Sequence, residues 1–194
     1  MPMGKHREEL TTMKLEPKAL QQKKKPSAYR EVYPIQEPYV YAAVVRDPIS
    51  QKTRYEVIEP TLLTEEESYL NEIKSLLMEE VDVSVRELET REKAEEYLRR
   101  KVEEIIRNYR LRIPAEAVSK LMYYIIRDFI GYGKVDALMK DHLIEDISAD
   151  GVNIPIYVWH REYESLPTNI VYKSEEELNS FIVRLAFLSG KQVS

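Results

Sequence analysis

The chain has 194 residues, 43% of them hydrophobic and 32% charged, with a formal net charge of −5 and no cysteine. This is enough apolar material for one domain or two small subdomains, and it excludes a disulfide framework, a thiolate metal site and a cysteine nucleophile. No window approaches the roughly 18 consecutive apolar residues of a membrane span, and the first residues lack the apolar centre of a signal peptide, so the expectation is a cytoplasmic protein.

Residues 1–25 carry seven Lys/Arg against three Asp/Glu, so a basic start precedes an acidic remainder. Residues 1–33 are lysine-rich and without a sustained apolar period, which reads as a flexible basic arm. Lys14, Lys18, Lys23, Lys24 and Lys25 are its candidate docking residues toward an acidic protein or anionic head groups. From Tyr39 two runs of β-branched and aromatic residues flank Asp47, Pro48, Ile49 and Ser50, the pattern of a β-hairpin.

Thr64, Glu65, Glu66 and Glu67 give a capping-box signature, and Tyr69, Leu70, Ile73, Leu76 and Leu77 then recur at helical spacing. A second helical period runs through Ala94, Leu98, Val102, Ile105, Ile106 and Tyr109, with charges on the opposite face. Pro114 suits a helix start, and Val118, Leu121, Met122, Ile125, Ile126 and Phe129 carry a third helix that stops at Gly131. Beyond it Val135, Leu138 and Met139 make a short helical turn. Three strand-like runs follow, then a last helix capped by Ser174 and bearing Leu178, Phe181, Ile182, Leu185 and Ala186. The expected class is α+β: an N-terminal β-hairpin and a three-helix layer over residues 34–131, then a small antiparallel sheet covered by a C-terminal helix over residues 132–194.

The two Gly-Lys pairs are the places to seek a phosphate loop, which needs a glycine five residues before the paired glycine and Ser/Thr after the lysine. Gly133-Lys134 has Asp128 and Val135 at those positions, and Gly190-Lys191 has Leu185 and Gln192, so neither qualifies. His6, His142 and His160 stand in no metal framework, and Glu145 and Asp146, adjacent in a strand, point to opposite faces and are poorly placed for joint acid/base work. No catalytic residue, metal or cofactor is assigned to the chain itself.

Residues 131–194 present Gly131, Gly133, Asp136 and Leu138, then Ile144 to Ser148, Asp150-Gly151, Ile154-Pro155, Tyr157-Val158, His160-Arg161 and Ser189-Gly190-Lys191. In this order they resemble the segment that precedes the ATPase core in archaeal type II/IV secretion superfamily proteins, the motors of pili, archaella and related systems. Residues 55–129, with Glu59-Pro60 and three helices, are similar to the helical front of the same N-terminal domains. The resemblance implies a cytoplasmic homo-hexamer whose absent C-terminal core binds ATP and Mg, while this domain forms a mobile ring touching neighbouring subunits and a membrane platform protein. It also implies that basic residues lean toward nucleotide held by that core, and Arg161, Arg184 and Lys191 are the candidates by location. The chain would then be an assembly and docking module and not an enzyme.

Three helices followed by a hairpin are also the ingredients of a winged-helix DNA-binding protein. Charge argues against that alternative, because residues 65–104 hold 14 Asp/Glu against seven Lys/Arg, a balance that repels a phosphate backbone. No nucleic-acid partner is expected.

Overall fold

The computed structural model describes residues 29–80 and 90–189. The element order is β1 (Tyr29–Gln36), β2 (Val40–Arg46), β3 (Thr53–Ile58), α1 (Thr64–Glu80), α2 (Arg91–Asn108), α3 (Ala115–Phe129), a 3-10 turn (Gly133–Val135), α4 (Asp136–Lys140), β4 (Ile144–Ser148), β5 (Pro155–His160), β6 (Glu164–Val171) and α5 (Glu175–Leu188). The class is α+β, as composition and order imply. Most of the arm, residues 1–28, and its five lysines lie outside the described residues, but its expected end at residue 33 falls inside β1. There Glu31, Tyr33 and Ile35 alternate with Val32 and Pro34, and Tyr33 and Ile35 pack on the core.

All six strands belong to one sheet, in the order β1-β2-β3-β6-β5-β4. The hairpin of the front half and the antiparallel strands of the back half are therefore not separate layers. They meet where β3 runs parallel to β6, with Tyr55 opposite Thr168. Asn169 reinforces this seam: its Nδ2 donates to the Val57 carbonyl and its Oδ1 accepts from the Val57 N–H, each at 2.9 Å. The sheet curls, so that Tyr33 of β1 reaches His160 at the end of β5, and Tyr163 donates to Glu31 across the same opening.

Two large apolar cores result, beside a small cluster of Ala43, Val45 and Ile58. One lines the inner face of the sheet with Val40, Ala42, Val44, Tyr55, Val57, Ile156, Val158 and Leu166, closed by Val135 and Leu138. The other lies among α1, α2 and α3, around Ile73, Leu77, Leu98, Ile105, Leu121 and Ile125, which occur at the expected helical spacing. Helix α3 joins the two, because Leu121 and Ile125 face the helices while Tyr123 faces the sheet and Tyr124 touches both.

Helix starts follow the capping chemistry with two one-residue shifts. Ahead of α1 the residue whose carboxylate reaches back is Glu66, accepting the Leu63 N–H at 2.8 Å, so Leu63 occupies the cap position and Thr64 is already helical. At α5 the Ser174 hydroxyl accepts the Glu177 N–H at 3.2 Å, as the Ser-x-x-Glu pattern requires. Pro114 caps α3 and does not begin it. Helix α5 covers the sheet through Leu178 and Phe181, the latter stacked on Tyr172 with ring centroids 5.0 Å apart. Ile182, expected on that buried face, instead points outward and is 43% exposed.

Candidate functional site

Gly131 ends α3, and the chain then turns sharply into α4. A Cβ at Gly131 would lie 2.3 Å from Asp136 Oδ1 and 2.9 Å from the Arg127 carbonyl, so only glycine allows the buried Asp136 to sit against the helix end. Asp136 accepts the Tyr132 N–H at 2.9 Å and pairs with Lys140 one turn on at 2.6 Å. Gly133 follows at φ +61°, a left-handed conformation that glycine adopts without strain. This turn forms one side of an open cleft of about 600 Å³ between the end of α3 and α5.

The cleft holds four cations, Lys74, Arg127, Lys134 and Arg184, with Asp128 and Glu177 and the rings of Tyr132, Tyr172 and Phe181. Arg127, little exposed, is the most heavily paired of them. Its Nη1 grips both oxygens of Glu59 at 2.8 and 3.0 Å, its Nε donates to Asp128 at 2.7 Å, and its guanidinium lies 4.7 Å from the Tyr124 ring centroid. Lys74 of α1 pairs with the other oxygen of Asp128. Burial opposes ionisation of both Arg127 and Asp128. The partners prevail in each: carboxylates hold Arg127 above its ordinary value, and Arg127 with Lys74 holds the Asp128 carboxyl below the usual carboxylate range. Tyr123 donates to Glu59 at 2.6 Å, and its phenol is pushed far up, first by burial and then by that carboxylate.

Arg184 is the one expected nucleotide-facing residue in this cleft. Its guanidinium donates from Nε, at 2.8 Å, and from Nη2 to the Gly131 carbonyl, so it also fastens α5 to the end of α3. Arg161 is elsewhere, on the turn after β5, in an ion pair with Glu145 at 3.1 Å whose side chains are 57% and 50% exposed. A pair so open to solvent contributes at most about 1 kcal/mol. Lys191 lies outside the described residues. Lys134, which sequence reasoning considered only as a failed phosphate loop, pairs with Glu177 and stands 5.5 Å from the Tyr172 ring. Arg127 was missed altogether: a basic residue in the last turn of a helix reads as a partner for the helix dipole.

What the cleft can do follows from these pairings. Each of its four cations has an oxygen partner, so an incoming anion must compete with a carboxylate or a carbonyl. Ser180 lines it, but among the described residues no base is hydrogen-bonded to that hydroxyl. Among the described residues no three His, Asp or Glu side chains gather closely enough to hold a metal. No described helix is long and apolar enough to cross a membrane.

A second polar cluster lies inside the curl of the sheet. Tyr33 and Tyr55 both donate to Asp141 Oδ2 at 2.6 Å, and the Leu143 N–H donates to Oδ1 at 2.9 Å. His160, fully buried, accepts the Glu162 N–H at Nδ1, which leaves Nε2 to donate to the Tyr33 hydroxyl at 3.2 Å. Burial, and then the Asp141 carboxylate, push both phenols far above their ordinary value. The cluster registers β1, β3 and β5 against the residue that follows α4, and its burial gives substrate no approach.

No family model matches the chain. It is 43% identical over 148 residues to the uncharacterized protein MJ1288 of Methanocaldococcus jannaschii, a match covering 76% of this chain and 58% of that protein. It is 32% identical over 182 residues to the uncharacterized protein MJ0900 of the same archaeon, over 84% of this chain and 32% of that protein. The chain therefore spans only about a third to three fifths of these relatives.

Proposed function

We propose that the chain is an assembly and docking domain of a hexameric archaeal secretion-type motor, one that passes the motion of an ATP-hydrolysing core to a membrane platform protein. The observation that carries this reading is the cleft at the junction of α3, the Gly131 turn and α5, where Arg184 stands beside Lys74, Arg127 and Lys134. Such a cleft suits a contact role better than catalysis, because among the described residues it holds no activated nucleophile. The rigidity that transmission requires is supported by the Glu59–Arg127–Asp128–Lys74 chain, which ties the end of β3 to α3 and α1. The resemblance over residues 131–194 supports the same reading.

The test joins the chain to a secretion-type ATPase core and compares it with Arg184→Ala. The expected result is reduced ATP turnover or a weakened hexamer, with unchanged far-UV circular dichroism, because a basic group facing phosphate supplies charge-assisted hydrogen bonds. Wild-type turnover and assembly in Arg184→Ala, Arg161→Ala and Lys191→Ala together would remove the nucleotide-facing part of the proposal. Failure of the joined protein to form any hexamer would remove the motor reading itself.

A further inference from the structure

Strand β4 is the last strand of the sheet, and among the described residues nothing pairs with its outer side. A register shift between Ile144 and Asp146 puts an extra residue into this strand, so that Ile144 and Ile147, three apart, both lie against the apolar core instead of on opposite faces. They form one wall of a groove of about 450 Å³ whose other walls are Leu138 and Met139 of α4 and Phe181 and Leu185 of α5. Its lining is apolar except at the β4 side, where Glu145 and Asp146 stand exposed. Glu145 has the solvent-open Arg161 as its ion-pair partner, and the carboxylate of Asp146, whose backbone pairs with Trp159, has no hydrogen bond or ion pair among the described residues. Met139 on the opposite wall is 46% exposed.

We infer that this groove is a docking site for an extended segment of a partner protein, one that adds to β4 as a further strand, with apolar side chains in the groove and basic side chains alternating with them. Three features of the site select that occupant. An edge strand offers a row of unpaired backbone donors and acceptors, which an extended chain satisfies and a helix does not. The apolar walls accept every second residue of a strand, since successive side chains point to opposite faces. At the open rim the Asp146 carboxylate, unpaired among the described residues, and Glu145, paired with the solvent-open Arg161, favour basic residues at the alternate positions over acidic ones. The inference does not rest on the motor reading, since the groove shares the Phe181 ring with the cleft that holds Arg184 but none of that cleft's charged side chains.

The test uses the whole chain and fluorescent peptides of about six residues, a common strand length. One alternates valine with lysine, one alternates valine with glutamate, and one is the lysine peptide with alternate backbone nitrogens methylated. The lysine peptide should bind roughly tenfold more tightly than its glutamate twin. Its binding should weaken with salt and with Asp146→Lys, an exposed change that leaves the fold intact. Amide shifts in NMR spectra should concentrate on residues 144–148 and on Met139 and Leu185. Methylation should abolish binding, because it removes the donors that pair with an edge strand. Equal binding of the methylated peptide would mean that the groove takes side chains without strand addition and would overturn the inference. So would no binding by the lysine peptide, or a dimer of the chain in sedimentation that Met139→Glu dissolves, which would assign the groove to a second copy.

Discussion

Asn169 is solvent-facing, yet its amide stands in for a stretch of strand. Both of its bonds to Val57 run across the parallel seam, beside the single residue pair Tyr55 and Thr168. Replacing it with leucine leaves the Val57 N–H and carbonyl without their partners, at a cost of about 2 kcal/mol. Asn169→Asp keeps the acceptor for the N–H but turns a carboxylate oxygen toward the carbonyl. Both variants should lower the midpoint of urea unfolding, and a wild-type midpoint for Asn169→Leu would mean that the seam holds without the amide. Nothing in the sequence marks this residue, since an asparagine between threonine and isoleucine in a strand-like run reads only as the polar face of the strand. Arg127 shares that obscurity: its importance depends on Glu59, which local pattern cannot bring to it.

Among the elements, the chain of charges along α1, α3 and the end of β3 makes the helical layer sensitive to acid. The Asp128 carboxyl is held below its ordinary value of 3.8 in the folded state. Its contribution to stability is therefore complete above the unfolded value of about 4 and is lost as pH falls through the lower folded value. Glu66, which caps α1 and pairs with Lys120 at 2.5 Å, is held low in the same sense. Thermal melts should thus show a falling midpoint below about pH 4. Asp128→Asn should be less stable at neutral pH, by about 2 kcal/mol, with a flatter fall in acid. Equal acid slopes for the variant and wild type would show that other carboxylates govern the transition. The three helices themselves were legible, because Leu70, Ile73 and Leu77, or Leu98, Val102 and Ile105, state a buried face at helical spacing within one element. Strand β1 was not. Its inward residues include Glu31 and its outward ones include Val32, so no apolar alternation announces it next to a lysine-rich stretch.

For the whole molecule, the α+β class and the order of elements followed from sequence, whereas the union of the two halves into one sheet did not. A parallel pair separated by four helices and two strands leaves no turn signal and no local periodicity. At this scale the functional proposal has two further consequences. The purified chain should show no ATP turnover, because neither Gly-Lys pair has the residues of a phosphate loop; turnover that follows the protein through purification and survives Lys134→Ala and Lys191→Ala would refute this. Association with anionic vesicles or with acidic loops of a platform protein should weaken as salt rises and as residues 1–25 are removed. Equal binding with and without that segment would deny its lysines a docking role.

The seam between β3 and β6 also bears on how the chain reaches this fold. Val57 and Asn169 are 112 positions apart, and the entire helical layer is threaded between them. The β1–β3 meander, the helices and the β4–β6 meander each draw on neighbouring residues, but the joint between the two meanders requires closure of a loop longer than half the chain, whose entropy must be met before any contact rewards it. Sheet union should consequently be a late and slow event, with a transition state in which the helices and the two meanders are formed and the Asn169 bonds are not. In kinetic terms Asn169→Leu should accelerate unfolding while leaving the folding rate nearly unchanged.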